Sequence, residues 1–274
     1  MKYDIIGARE IVSCRGGIKL GTDKVKIHSK ALNKEMNIAV YVPENYKEVN
    51  LPVLYFIHGR SGNEEILQLL KIDDTVSKLI KDNIIKPMIV VCPNIDNSRG
   101  INSSNEYKEV QGKYGIVNLG LYEDYFIEEV IPYIDRNYKT IPNRENRYIG
   151  GISSGGYAAL HNGLRHQDLF SKIGGHMPAI DLSYLDEDEC YFANEEMWNK
   201  YDPITIAENN NIDRLKIYLD DGKEDEVKFY VACEKLFNIL NNKNVEVKYN
   251  LFEGHHNAEY IKSNLEKYLK FYNS

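Results

Sequence analysis

The spacing of hydrophobic positions changes along the chain, and each change predicts an element. Residues 24–28 and 36–42 alternate polar and apolar side chains on either side of a turn-like stretch at 31–35. A period of two around a turn predicts an antiparallel hairpin. Residues 53–57 and 88–92 are instead short continuous apolar runs bounded by Pro, Gly and Asn, the pattern of strands buried on both faces of a parallel sheet. Between them 64–80 reads as one helix. Over 121–138, Tyr125, Ile127, Val130, Ile131 and Ile134 recur at helical spacings, which predicts one helix that Pro132 should kink or deprive of a hydrogen bond.

The second half repeats the alternation. Strands are predicted at 147–152, 172–175, 215–219 and 245–251, the last with Val245, Val247, Tyr249 and Leu251 on one face, and helices at 155–164, 226–241 and 258–272. Strands alternating with helices predict an α/β domain with a mostly parallel central sheet, an antiparallel N-terminal hairpin and helices on both faces. Two stretches break the pattern: 94–114, rich in Asn, Ser and Gly, and 180–211, which carries the acidic run 186–189 and the only tryptophan, Trp198. Long irregular insertions in a compact domain are often lids or binding loops, so both are expected around a pocket mouth. A solvated acidic surface loop fits 186–189 equally well.

Composition narrows the class. A chain of 274 residues that is 43% hydrophobic suits one catalytic domain over 1–274. The 41 acidic and 34 basic residues give a net charge of −7, spread without the basic stripe that a nucleic-acid backbone needs. Residues 1–13 hold Lys2, Asp4, Arg9 and Glu10 in place of an apolar signal core, and no uninterrupted apolar window approaches the roughly 18 residues of a membrane span. The expectation is a soluble, cytoplasmic protein. Cys14, Cys92, Cys190 and Cys233 lie far apart without a CxxC pair, and are expected as free thiols with no zinc or redox role.

Chemistry enters at Gly151-Ile152-Ser153-Ser154-Gly155. This fits G-x-S-x-G where a predicted strand passes into a predicted helix, the context in which a tight turn lifts a serine hydroxyl clear of a sheet. Glycines at 151, 155 and 156 would let strand and helix approach closely. Ser154 is the weaker candidate, since Ile152 would then occupy the place of the leading glycine. A helix cap is the plain alternative role for Ser153. A serine hydroxyl needs a histidine base and a carboxylate that fixes the histidine's tautomer, here in the chain order Ser, acid, His. After the strand at 215–219 come Asp220-Asp221-Gly222-Lys223-Glu224-Asp225, and after the strand at 245–251 come Glu253-Gly254-His255-His256. Asp225 is the chosen acid, with Glu224 and Asp221 in reserve, and either His255 or His256 can serve as base. Two N–H donors are needed for the oxyanion: Ser154, following the nucleophile, and Arg60, in the turn His58-Gly59-Arg60 after the strand at 53–57. No HExxH, GxGxxG or Walker lysine is present, so neither a metal nor a cofactor is expected.

Tyr122-Glu123-Asp124-Tyr125, Ile131-Pro132-Tyr133-Ile134, Arg144-Glu145-Asn146-Arg147 and residues 151–160 together resemble the esterase D-like "putative esterase" group of α/β-hydrolases. That group includes tributyrin, feruloyl and acetyl-xylan esterases, S-formylglutathione hydrolases and mycolyltransferases. The likeness runs over nearly the whole chain. It implies Ser153 as nucleophile, Asp225 as acid, His256 in preference to His255 as base, and the His58-Gly59-Arg60 turn at the oxyanion. Ser154 stands where a methionine is common and Ala258 where a tryptophan is frequent, while Tyr157 matches the tributyrin and feruloyl branches. The implied activity is hydrolysis, through an acyl-enzyme, of short-acyl, acetyl or aromatic, sugar-linked esters. Alternatives are an acyltransferase, an S-formylglutathione hydrolase-like thioesterase, or a binding protein that has lost catalysis. The implied partner is a small-molecule or carbohydrate ester, and a homo-oligomer stays open.

Overall fold

The computed structural model describes residues 21–43 and 49–274; the readings of residues 1–13 and of Cys14 lie outside them. The predicted hairpin is present as β1 (Gly21–Ser29) and β2 (Lys34–Val42), antiparallel from Gly21 opposite Val42 to Ser29 opposite Lys34. β3 (Val53–Ile57) and β4 (Ile89–Pro93) are buried throughout. In β3, Val53, Tyr55 and Ile57 enter one core, and Leu54 and Phe56 the other. A strand with a hydrophobic core on each side has to be apolar at every position.

The helix predicted at 64–80 is two, α1 (Ile66–Leu69) and α2 (Ile72–Lys81), separated by Lys71 at φ 55°. On a straight rod at about 100° per residue, Ile66, Leu67 and Leu70 would face nearly opposite to Ile72, Val76 and Leu79. The left-handed residue turns both sets into one core. The helix predicted at 121–138 runs as α3 (Tyr122–Asp124), a π-helical segment (Tyr125–Val130) and α4 (Ile131–Asn137). The Ile131 N–H reaches back to the Phe126 carbonyl, so the hydrogen-bond period changes immediately ahead of Pro132, which has no hydrogen to give. Of the two outcomes expected at Pro132, a kink or a lost hydrogen bond, the altered hydrogen-bond pattern is the one seen, within a helical run that continues to Asn137.

Within the stretch expected to be irregular, β5 (Lys108–Gly112) opens a separate two-stranded hairpin with β6 (Gly115–Leu119). Its first strand is mostly exposed, so no apolar alternation announced it. There follow β7 (Arg147–Ile152), α5 (Ser154–Arg165), β8 (Lys172–His176), α6 (Glu195–Tyr201), α7 (Pro203–Asn209), β9 (Lys216–Gly222), α8 (Tyr230–Asn242), β10 (Glu246–Phe252) and α9 (Ala258–Tyr272). α8 starts at Tyr230, later than the predicted 226, because the Asp225 carboxylate first takes the N–H groups of Val227 and Phe229. Leu251, expected on the covered face of β10, is 38% exposed at the sheet edge.

The main sheet has the order β1-β2-β4-β3-β7-β8-β9-β10, antiparallel at β1/β2 and β2/β4 and parallel beyond. α2 and α9 pack together on one face, and α5, α7 and α8 on the other. Parallel strands deliver their following loops to one edge, where sites of open α/β sheets form. The long segment 180–211 packs inward. Trp198 is 5% exposed and lies against Tyr184. Asp188, within the run that could have been a solvated loop, is wholly buried and pairs with Arg99 at 2.8 Å. Among the described residues no helix is long and apolar enough to cross a membrane.

Candidate active site

Ser153 sits between the last residue of β7 and the first of α5 with φ 52° and ψ −118°. A non-glycine residue in that region is strained. The strain is held by three backbone hydrogen bonds. Ser153 N–H donates to the His176 carbonyl, and its own carbonyl accepts from Tyr157 and Ala179, each at 3.0 Å. The flanking glycines are required by contact. A Cβ at Gly151 would overlap the Gly155 carbonyl, and one at Gly155 would overlap the carbonyls of Ile57 and His58. The turn therefore brings β3, β7 and α5 closer than side chains allow, as the motif predicted. Ser153 makes no side-chain cap to α5.

The loops after β9 and β10 meet over this turn. His256 Nε2 lies 3.0 Å from Ser153 Oγ, and its Nδ1 faces Asp225 Oδ2 at 3.6 Å. The first distance is a hydrogen bond. The second is an ion-pair contact longer than an N–H···O bond, and Nδ1 has no hydrogen-bond partner among the described residues. The Phe229 ring stands edge-on to His256, centroids 5.5 Å apart. Asp225 is 2% exposed. Burial pushes its carboxyl up, but His256 and the N–H groups of Val227 and Phe229 outweigh this and hold it below the usual carboxylate range.

The reserve residues separate cleanly. His255 points to solvent, with Nδ1 2.7 Å from Glu226 Oε1, and that bond raises its pKa. Glu224 is exposed and accepts from the Gly254 N–H. Asp221 is fully buried beside Asp225, with Oδ1 accepting from Gly222 N–H at 2.7 Å. Asp221, Asp225 and His256 are also the one group among the described residues that brings three ligand-type atoms within 4.8 Å of one another. Their neighbours already account for that cluster: His256 reaches Ser153, and Asp225 accepts two backbone N–H groups.

On the other side of Ser153, a Cβ at Gly59 would lie 3.3 Å from the Ser153 Cβ, so the His58-Gly59-Arg60 turn runs alongside the hydroxyl. Sequence reasoning placed His58 in this turn without giving its side chain a role, and that side chain pins the turn. Its Nδ1 donates to the Gly59 carbonyl at 2.8 Å while Nε2 accepts the Ile95 N–H at 3.0 Å. Burial lowers its pKa, so it stays neutral and suited to both roles. Asn97 Oδ1 takes the Ser61 N–H at 2.7 Å. Adjacency of His58 to Gly59 was the only sequence signal for this role. Phe229 had none. The Arg60 side chain extends outward over the Tyr114 ring, at a shallow surface depression lined by Lys113, Tyr114, Ile116, Glu187 and Tyr191 among others.

A hydroxyl on a strained turn, hydrogen-bonded to a histidine that faces a buried carboxylate, can attack an electrophilic carbonyl. The family model described as "Putative esterase" matches residues 29–272. Among solved structures, a ferulic acid esterase superposes with a TM-score of 0.79 at 22% identity, covering 93% of this chain and 98% of its own. An S-formylglutathione hydrolase from Agrobacterium tumefaciens gives 0.76 at 19% identity, with 99% of both chains covered. A fluorophosphonate-binding serine hydrolase of Staphylococcus aureus gives 0.75 at 19%, covering 93% and 99%. At these identities the structural matches establish the shared fold, the α/β-hydrolase fold.

Proposed function

Since the chain belongs to the "Putative esterase" family and is a serine carboxylic-ester hydrolase, we propose that Ser153, His256 and Asp225 are its catalytic triad. The backbone N–H groups of Arg60 and Ser154 then form its oxyanion hole. The observation that carries this reading is the 3.0 Å contact between His256 Nε2 and Ser153 Oγ at the strained turn.

The steps follow from the geometry. His256 Nε2 takes the Ser153 proton as Oγ bonds to the ester carbonyl carbon, and the carbonyl electron pair moves onto oxygen. Two preorganised N–H donors stabilise that charge where it develops. Asp225 keeps the second ring proton on Nδ1 and stabilises the imidazolium. The intermediate collapses, the alcohol leaves with the proton from His256, and water repeats the sequence to free the acid. The chain acts as one catalytic unit, with 94–114 and 180–211 at the mouth of the site. Supporting this, the buried Arg99–Asp188 pair ties those two segments together. As substrates we take short-acyl or aromatic esters, sugar-linked ones included, a reading supported by the ferulic acid esterases among the structures that share this fold. Free thiols at Cys92, Cys190 and Cys233 suit a reducing compartment, and we assign the enzyme to the cytoplasm.

The test is hydrolysis of p-nitrophenyl acetate and butyrate. Ser153→Ala should lower kcat/KM by roughly 10⁴-fold or more in a protein that melts like wild type. Equal rates in the two proteins would end the assignment.

A further inference from the structure

The acid side of the site holds one carboxyl more than the mechanism uses. Asp221 and Asp225 are 0% and 2% exposed, and an oxygen of each lies within 4.8 Å of the other and of a His256 ring nitrogen. Two carboxylates side by side and out of water do not both stay ionised. The hydrogen bonds decide which one keeps a proton. Asp225 accepts N–H groups from Val227 at 2.9 Å and Phe229 at 3.1 Å and faces His256, all of which favour its charged form. Asp221 accepts one N–H on Oδ1, and among the described residues the donor at its Oδ2 is the weak S–H of Cys233 at 3.8 Å.

We infer that Asp221 is the neutral half of a carboxylic acid–carboxylate pair, and that its O–H donates to Asp225 and holds that carboxylate in place behind His256. Asp221 is then a positioning residue, and this role rests on the triad proposed above. The remaining titratable groups around it agree. Asp220 on the same strand adds negative charge, while Cys233 of α8, Tyr249 of β10 and Tyr260 of α9 keep their protons because burial, and after it the neighbouring charge, raises them. Burial, then Asp225, pushes the Asp221 carboxyl up to about 8.

The sign of the consequence is fixed. A carboxyl near 3.9 in the unfolded chain and raised in the folded one binds its proton more tightly when folded. Its contribution to stability is full below about pH 4 and is lost as the pH rises toward the folded value. Asparagine cannot ionise, yet it can still donate to Asp225. The melting-temperature difference between Asp221→Asn and wild type should therefore increase by roughly 5 °C or more between pH 5 and pH 8. With p-nitrophenyl acetate at pH 7, Asp221→Ala should lower kcat roughly tenfold with KM within about twofold, and Asp221→Asn should recover most of that loss. A melting difference that stays flat with pH, or an Asn variant as slow as Ala, overturns the inference. The melting arm needs no substrate, so a protein that hydrolyses no ester would refute the triad while Asp221 is still judged on its own.

Discussion

Two histidine–aspartate pairs stand near the same edge of the sheet, with aspartates five positions apart, and they differ in what surrounds them. His176 Nδ1 lies 2.9 Å from Asp220 Oδ1, its Nε2 2.9 Å from the Tyr272 hydroxyl, and its ring centroid 3.6 Å from that of Tyr268. The other Asp220 oxygen accepts the hydroxyls of Tyr260 and Tyr268. Both partners are 0% exposed, and their hydrogen-bonding groups are engaged. His256 keeps 22% of its side-chain surface exposed, faces its aspartate at 3.6 Å, and has a serine hydroxyl on Nε2. The first pair is a closed network that specifies packing. The second has slack, access to solvent and a reactive partner. The same two residue types thus read as structure or as chemistry according to how fully they are satisfied.

Mutation can break that contrast. The largest effect should come from His256→Ala, which should lower kcat/KM by about 10⁴-fold with little change in melting temperature. Asp220→Ala should do the reverse. It removes from the core the acceptor shared by His176 and the two hydroxyls of Tyr260 and Tyr268, and should cost about 3–5 kcal/mol in a urea unfolding titration. An Asp220 variant that folds normally but loses rate would mean the two pairs had been given each other's roles. The smallest effect belongs to His255→Gln. Its exposed pair with Glu226 should leave the melting temperature close to that of wild type and the rate within about twofold. A large loss there would place the base at the wrong histidine.

Much of this was legible in the sequence because it is written in local chemistry. Continuous apolar runs marked β3 and β4, Gly151 and Gly155 marked the turn around Ser153, and the order of Ser153, Asp225 and His256 pointed to the three residues that meet at the proposed site. What escaped depends on tertiary neighbours. Nothing local says that Lys71 turns left-handed, because the reason is a core that needs both Leu70 and Ile72. The π-helical segment before Pro132 and the polar β5 hairpin lack a periodic signal for similar reasons. Asp188 looked like one of four acidic surface residues until Arg99, far away in sequence, proved to be its buried partner. His176 and Asp220 carried no spacing signal. Their network is assembled from β8, β9 and α9.

The proposed triad is tested most directly by treating the folded protein with a fluorophosphonate and locating the adduct by peptide mass spectrometry. One equivalent should attach to Ser153 as ester hydrolysis is lost, and His256→Ala should label far more slowly. An adduct on another residue, or undiminished hydrolysis after Ser153 is fully modified, would contradict it.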